Sequence, residues 1–226
     1  NNRRRQIRCV LRNNHATKPS GAMWMKGTVQ NCIIEGNTSE GAAAAATLNP
    51  GRMINCIVRN NKSNSDFGSV RGCGHSQMIN LLVYGNEAAG EVGGLSTEDA
   101  LSDFINCTVV GNKEGAAGKV TAGININREY EDNGAIFANN VVWGNYNGES
   151  VASQQINDNI VAYKTNYANN AIQGTVAMPA LALADENTAA AGPNFVDPAN
   201  ADYRITGKSP LIDAGATDKV SVDKDL

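Results

Sequence analysis

Residues 55–61 read N-C-I-V-R-N-N, and five other segments of the chain copy this heptapeptide closely. The shared pattern is N-C-x-[VIL]-x-[GN]-N, and successive copies begin 23, 24, 25, 26 and 33 residues apart, counted from the second position. Self-similarity at a nearly fixed spacing indicates a repeat architecture. The other copies are residues 8–14, 31–37, 80–86, 106–112 and 139–145, and a weaker seventh is predicted at residues 158–163.

Alternate positions of each copy predict a strand face that packs against a core. Side chains two residues apart on a strand share one face, so the second and fourth positions form two columns along a stack. Both columns hold small or apolar residues, and one strand cannot bury them alone, whereas stacked coils can. The first column is Cys9, Cys32, Cys56, Leu81 and Cys107, and the second is Leu11, Ile34, Val58, Val83, Val109 and Val142.

The last position of every copy is asparagine, and the position before it is glycine or asparagine. Both residue types suit a sharp, left-handed corner. Stacked side-chain amides can donate to one another along the axis, and this satisfies groups whose unpaired burial would cost about 1–3 kcal/mol each. The predicted amide ladder is Asn14, Asn37, Asn61, Asn86, Asn112 and Asn145.

These repeats define the fold class. Neither the spacing of leucine-rich repeats nor the 3.6-residue periodicity of helical repeats is present in the sequence. We therefore predict an all-β, single-stranded right-handed parallel β-helix with three short sheets. We expect its coils over residues 1–165, and an irregular C-terminal segment over residues 166–226 that packs on the helix as a cap.

Composition narrows the classes of function. The 226 residues carry a formal net charge of −3, which gives no argument for binding nucleic acid. No apolar run reaches the roughly 18 residues of a membrane span. We predict neither a nucleic-acid partner nor a membrane span.

The five cysteines are predicted to be free thiols. Equivalent cysteines on adjacent coils would lie about 4.8 Å apart with parallel Cβ vectors, which is awkward for a disulfide. The two histidines, His15 and His75, show no zinc-ligand spacing with the cysteines except in the tripeptide of residues 73–75. We predict no metal cofactor.

The C-terminal segment contains F-V-D-P at residues 195–198, D-Y-R-I at 202–205 and S-P-L-I-D-A-G at 209–215. With the coils, it resembles secreted β-helix proteins of the pectate-lyase-like superfamily, common in Bacteroides-type bacteria. The resemblance covers nearly the whole chain and implies export to an extracellular or cell-surface location. It also implies further residues beyond both ends, so that the chain is a monomer or one domain of a longer protein.

The resemblance does not imply an activity, because this fold hosts lyases, hydrolases and adhesins. Pectate-lyase relatives use clustered acidic residues with Ca²⁺, and polygalacturonase relatives use paired aspartates with G-H-G and R-I-K motifs. The sequence has no Asp-Asp pair and no R-I-K, so catalytic residues stay unassigned. Candidate loop carboxylates are Glu40, Glu91, Asp99 and Glu114, and Asp197, Asp202 and Asp213 leave Ca²⁺ binding open as an alternative to local turn capping.

Two columns of side chains are predicted to point outward. The third position is apolar in five of the six copies, so we expect loops, the tail or a partner to cover this column, which is Val10, Ile33, Ile57, Leu82, Thr108 and Val141. The fifth position combines aromatic and charged residues, which suits stacking on sugar rings and hydrogen bonding to their hydroxyls. The candidate ligand-binding residues in that column are Glu35, Arg59, Tyr84 and Trp143.

We therefore expect a secreted or cell-surface domain that binds a polysaccharide or surface glycan without catalysis, as an adhesin would. A polysaccharide lyase or glycoside hydrolase is the first alternative. A structural stalk module of a surface protein is the second.

Overall fold

The computed structural model describes residues 4–98, 102–115, 121–126, 135–158, 166–174 and 192–219. The described chain is an all-β parallel solenoid, which confirms the predicted fold class. Its strands form a 16-stranded sheet, a 7-stranded sheet and a two-stranded antiparallel hairpin. Two short 3₁₀ turns, η1 (Pro198–Asn200) and η2 (Thr217–Lys219), lie in the C-terminal segment.

The strands of the first half follow in chain order. They are β1 (Arg4–Ile7), β2 (Val10–Arg12), β3 (His15–Ala16), β4 (Met23–Gln30), β5 (Ile33–Glu35), β6 (Thr38–Ser39), β7 (Ala46–Arg59), β8 (Lys62–Ser63), β9 (Val70–Cys73), β10 (Gln77–Tyr84), β11 (Glu87–Ala88), β12 (Leu95–Glu98) and β13 (Asp103–Ile105).

The second half continues the same order. Its strands are β14 (Thr108–Val110), β15 (Lys113–Glu114), β16 (Thr121–Ile126), β17 (Ile136–Ala138), β18 (Val141–Trp143), β19 (Tyr146–Asn147), β20 (Ser150–Val151), β21 (Gln154–Asp158), β22 (Asn166–Ala168), β23 (Ala171–Ile172), β24 (Phe195–Asp197) and β25 (Asp202–Ile205).

The copies of the heptapeptide stack in register, one above another. We call these stacked segments rungs 1 to 7; they are β2, β5, the end of β7, the end of β10, β14, β18 and β23, and each pairs in parallel with the next. The third position of the pattern therefore forms one column, which runs Val10, Ile33, Ile57, Leu82, Thr108, Val141 and Ala171.

Each rung begins at a left-handed corner. The residue at the first pattern position is asparagine in rungs 2 to 7, and its φ lies between 51° and 58° in all six. Asparagine tolerates this backbone region better than other residues with a Cβ, so the repeated asparagine lets the chain turn into each rung without a glycine.

The two inward columns form the core. The side chains of rungs 2 to 6 in these columns are at most 1% exposed, whereas Cys9 and Leu11 of rung 1 are half-buried. The amide ladder lies beside them, and each Nδ2 donates to the Oδ1 of the next asparagine at 2.8–2.9 Å from Asn14 to Asn145. The ladder ends on Gln155, whose Oε1 accepts from Asn145 Nδ2 at 2.7 Å.

A second amide pair begins where the cysteine column ends. Asn140 occupies the cysteine position of rung 6, and its Oδ1 accepts from the backbone N–H of Cys107 at 2.9 Å. Its Nδ2 donates to Asn170 Oδ1 at 3.0 Å on rung 7. Both asparagines are buried, so amide stacking replaces the thiols at this end of the core.

The seventh rung differs from its predicted position. It consists of Ala171–Ile172, paired with rung 6, so the copy predicted at residues 158–163 is wrong. Asp158 instead ends β21 and pairs with Ile126, while residues 159–163 lie outside the described residues. The parallel ladders thus run past residue 165, where we expected the coils to stop.

Residues 192–219 of the C-terminal segment lie along the side of the solenoid rather than over its end. We call residues 192–219 the tail. The ring of Tyr203 in β25 lies 5.2 Å from that of Tyr84 on rung 4, and Asn139 and Asn169 at the corners of rungs 6 and 7 bond to the tail backbone. The expected end cap is therefore corrected to a lateral strap for these residues.

All five cysteines are free thiols. Burial raises the pKa of Cys56 and that of Cys107 from 9.0 to about 12. A thiol whose pKa is higher in the folded state holds its proton longer there, so its contribution to stability is complete below pH 9 and is lost as the pH rises from 9 to 12.

We predict that each of these two thiols lowers the free energy of unfolding by about 1.4 kcal/mol between pH 8 and pH 10. Urea denaturation at both pH values measures this loss. The Cys107→Val variant should lose less stability over the same interval, because Cys107 then no longer contributes. An identical pH dependence in wild type and variant would contradict the assignment.

Candidate functional site

Three of the four predicted ligand-binding residues bind one another. Arg59 Nη2 lies 2.6 Å from Glu35 Oε2, and Arg59 Nη1 donates to the Tyr84 hydroxyl at 2.8 Å. The hydrogen bonds to Tyr84 and Glu35 raise the pKa of Arg59 above its usual value. The polar groups expected to meet a sugar are therefore engaged along three adjacent rungs.

The aromatic members of that column are covered by the tail. Tyr84 is only 9% exposed, because Tyr203 packs on its ring and Phe195 packs edge-on against Tyr203 at 5.4 Å. Trp143 is half-buried, and a Cβ added to Gly192 would lie 3.2 Å from its Cζ2 atom. The predicted flat aromatic platform is thus corrected: the chain's own tail stacks where we expected a glycan.

The apolar outward column is covered in its C-terminal half. Leu82, Thr108, Val141 and Ala171 line a cavity whose opposite wall is the tail, whereas Val10 at the other end of the column is 58% exposed. Of the three expected covers, loops, the tail or a partner, it is the tail that lies over this column at rungs 4 to 7. This cavity is the candidate functional site, and we call it the cleft.

The cleft has a volume of about 410 Å³ and lies between the solenoid and the tail. The floor of the cleft consists of Leu82, Thr108, Val141 and Ala171. One long side is a row of corner asparagines, and the roof comes from two parts of the tail. The corner row is Asn80, Asn106, Asn139 and Asn169, and the roof includes residues 201–205, Leu211, Ala214 and Gly215.

Two of the corner asparagines hold the roof in place. Asn139 accepts from the backbone N–H of Ala216 at 2.7 Å and donates to its carbonyl at 3.0 Å. Asn169 Nδ2 donates to the Ala214 carbonyl at 2.7 Å. These bonds are made by side chains that the solenoid orients rigidly, so the roof is anchored to rungs 6 and 7 by amides rather than by apolar contact alone.

The mouth of the cleft carries a charged pair. Arg204 donates from Nε and Nη2 to the two carboxylate oxygens of Asp202, at 2.8 and 2.6 Å. The bond from Arg204 holds the pKa of Asp202 below its usual value, and Arg204 is 81% exposed at its side chain. Burial raises the pKa of Tyr203, which lies between these two residues in the sequence.

The middle of the cleft offers unused hydrogen-bonding groups. Asn106 and Thr108 lie on rung 5, and among the described residues none bonds to the Asn106 side-chain amide or to the Thr108 hydroxyl. Leu82 and Val141 flank Thr108 on the rungs to either side. The centre of the cleft thus combines an amide, a hydroxyl and two apolar surfaces, which suits a ligand with alternating polar and apolar faces.

The candidate catalytic carboxylates have separate partners. Glu40 accepts from Asn64 Nδ2 at 2.9 Å, and Glu91 accepts from Asn125 Nδ2 at 3.5 Å. Glu114 is fully buried in β15 rather than solvated in a loop, and Asp99 lies outside the described residues. Within the described ranges, no three His, Cys, Asp or Glu side chains are grouped to hold a metal ion.

The fold and the cleft define the class as a parallel β-solenoid with a lateral C-terminal strap. Comparison of the chain with protein-family models, with curated proteins and with solved structures found no match. In the ranges that the structure describes, no helix has the length and apolar character needed to cross a membrane.

The cleft residues were not predicted as a site from the sequence. The sequence feature that could have indicated them is the first position of the pattern, where asparagine recurs in five of the six copies. Alternation alone does not say whether such a corner residue faces solvent, the core or another segment. The tail residues carried no signal for this role, because their position against rungs 4 to 7 depends on long-range packing.

Proposed function

We propose that this protein is a non-catalytic carbohydrate-binding domain, and that the cleft, rather than the fifth-position column, holds the saccharide. The observation that carries the proposal is the Asn106–Thr108 pair between Leu82 and Val141 under the tail. Sugars present hydroxyls and apolar C–H faces together, and recognition sites for such ligands combine a few directional polar groups with apolar surface.

The proposal includes a location outside the cell or on its surface, where a protein meets polysaccharide. The resemblance of the coils and tail to secreted β-helix proteins supports that location. The charged pair Asp202–Arg204 at the mouth supplies further hydrogen-bonding groups next to the opening.

Calorimetry against a panel of neutral and acidic oligosaccharides tests the proposal. We expect at least one to bind, and the Thr108→Val and Asn106→Gly variants to bind it about tenfold more weakly, because each loses one hydrogen bond in a sheltered site. Glycine is chosen at residue 106 because the backbone there has a φ of 56°.

The matched control is Asn31→Gly, at the same corner on rung 2, where φ is 54° and the side chain is exposed. Its affinity should equal that of the wild type. Absence of binding across the panel, or unchanged affinity in both cleft variants, would refute the proposal. New unsaturated or reducing ends in the incubated glycans would refute its non-catalytic part.

A further inference from the structure

The electric charges in the cleft are balanced. Among the described residues that line it, Asp202 carries the negative charge and Arg204 the positive one. Tyr203 is the third ionisable residue along these walls, and a phenol is uncharged at neutral pH because its pKa is about 10. The net charge of the described lining is therefore zero.

The two charges are also directed at each other. Asp202 Oδ1 accepts from Arg204 Nε at 2.8 Å, and Asp202 Oδ2 accepts from Arg204 Nη2 at 2.6 Å. This two-point contact uses the face of the guanidinium group that would otherwise hold a carboxylate or sulfate of a ligand. An acidic sugar would have to compete with Asp202 for these donors, and a cationic amino sugar would have to compete with Arg204 for the carboxylate.

The other polar groups of the cleft are uncharged. They are the side-chain amides of the corner row, Asn80, Asn106, Asn139 and Asn169, and the hydroxyl of Thr108. Amides and hydroxyls donate and accept hydrogen bonds, as sugar hydroxyls do, but they carry no charge that could offset an ion. An ionised sugar in this sheltered space would lose hydration without meeting an opposite charge, so the lining favours uncharged ligands.

The shape of the cleft follows the axis of the solenoid. Its floor runs from Leu82 on rung 4 through Thr108 and Val141 to Ala171 on rung 7, and each of these residues pairs with the next. Three spacings of about 4.8 Å between parallel strands give a length of about 14 Å. This length exceeds that of one sugar ring, which suits a chain of sugar units lying parallel to the axis.

We propose that the ligand of the cleft is an uncharged linear oligosaccharide, free or as a stretch of a polysaccharide, that lies along the solenoid axis. This inference rests on the proposed carbohydrate-binding function and narrows the class of its ligand. The Asp202–Arg204 pair is the specificity determinant, because each residue neutralises the charge on the other that would attract an ionised sugar.

Trisaccharides that differ at one carbon atom test the charge preference. The probes are linear trisaccharides of glucose, galactose and mannose, and each is compared with its uronic-acid counterpart, in which a carboxylate replaces the C6 hydroxymethyl group. By calorimetry at pH 7 and low salt, we expect the neutral member of a binding pair to bind at least about tenfold more tightly. The corresponding monosaccharide should bind more weakly than the trisaccharide, since it fills a fraction of the cleft.

The Asp202→Asn variant tests the role of the charged pair. It keeps the shape of the side chain and an oxygen for the backbone N–H of Arg204, which Oδ1 accepts at 3.2 Å, but it leaves the guanidinium without its anion. We expect the affinity for the acidic trisaccharide to rise about tenfold, and that for the neutral one to change less than about twofold. Retained binding of the neutral trisaccharide also shows that the variant is folded.

The matched control is Asp197→Asn, which removes the same charge from the facing position of the hairpin of β24 and β25. The Asp197 carboxylate accepts from Asn200, and Asp197 is not among the described residues that line the cleft. This variant should leave both affinities unchanged.

The possible outcomes separate this inference from the function on which it rests. Equal binding of an acidic trisaccharide and its neutral counterpart, or an acidic affinity that does not rise in Asp202→Asn, would overturn the inference and leave carbohydrate binding in place. A monosaccharide that binds as tightly as its trisaccharide would overturn the alignment with the axis. Binding of none of these saccharides would refute the proposed function, and this inference with it.

Discussion

Replacing Asn86 with alanine should lower the free energy of unfolding by about 4 kcal/mol. Asn86 is fully buried in the middle of the amide ladder. Its Nδ2 donates to Val58 O, Tyr84 O and Asn112 Oδ1, and its Oδ1 accepts from the N–H and the Nδ2 of Asn61. Alanine removes these five bonds and leaves buried donors and acceptors without partners, which costs more than the net worth of the bonds themselves.

Urea denaturation of the variant measures this loss. The matched control is Asn14→Ala, at the exposed end of the same ladder, where the side chain donates to Asn37 and Arg12 but accepts no bond within the described chain. That variant should lose less than about 1 kcal/mol, because water replaces the missing partners. Similar losses of stability at both positions would contradict the expectation that a ladder asparagine contributes more when it is buried.

Replacing Tyr203 with alanine should release the tail from the solenoid. The Tyr203 ring lies 5.2 Å from that of Tyr84 and 5.4 Å from that of Phe195, so it joins rung 4 to the hairpin of β24 and β25. Loss of a packed aromatic side chain costs about 3 kcal/mol, which corresponds to a roughly hundredfold higher population of undocked tail. The roof of the cleft would open at the same time, and saccharide affinity should fall with it.

Limited trypsin digestion measures the release, since Arg204 and Lys208 offer cleavage sites within the tail. Cleavage should be about a hundredfold faster in Tyr203→Ala when opening is rapid compared with cleavage. Ile212→Ala, a truncation of a tail residue that is 46% exposed, should change the rate little. An unchanged rate in Tyr203→Ala would show that other contacts hold the tail.

The stack of rungs was predictable because each residue contacts its own equivalents. A side chain at one pattern position meets the same position on the adjacent rungs, so the sequence spacing of Cys32 and Cys56 already implies their contact in the structure. The prediction failed where a position broke the pattern. Asn140 could be seen as an exception in the cysteine column, but its partner Asn170 lies in a copy that the pattern had placed elsewhere.

The candidate site could not be predicted in the same way. The alternation of side chains along a strand predicted that residues of the fifth-position column point outward. Whether an outward residue meets water or protein depends on a segment without repeats, and Tyr84 is buried because Tyr203 reaches it from the far end of the chain. The same docking encloses Asn106 and Thr108 and so creates the cleft.

The amino-acid sequence alone determined the parallel solenoid, its inward columns and its amide ladder, because these follow from interactions between nearest equivalent residues repeated at a near-constant spacing. Only the tertiary structure decided which outward surface is covered, where the last rung lies and which groups remain open to a ligand. Those features depend on packing between the repeats and a unique tail, and periodicity carries no information about a contact that occurs once.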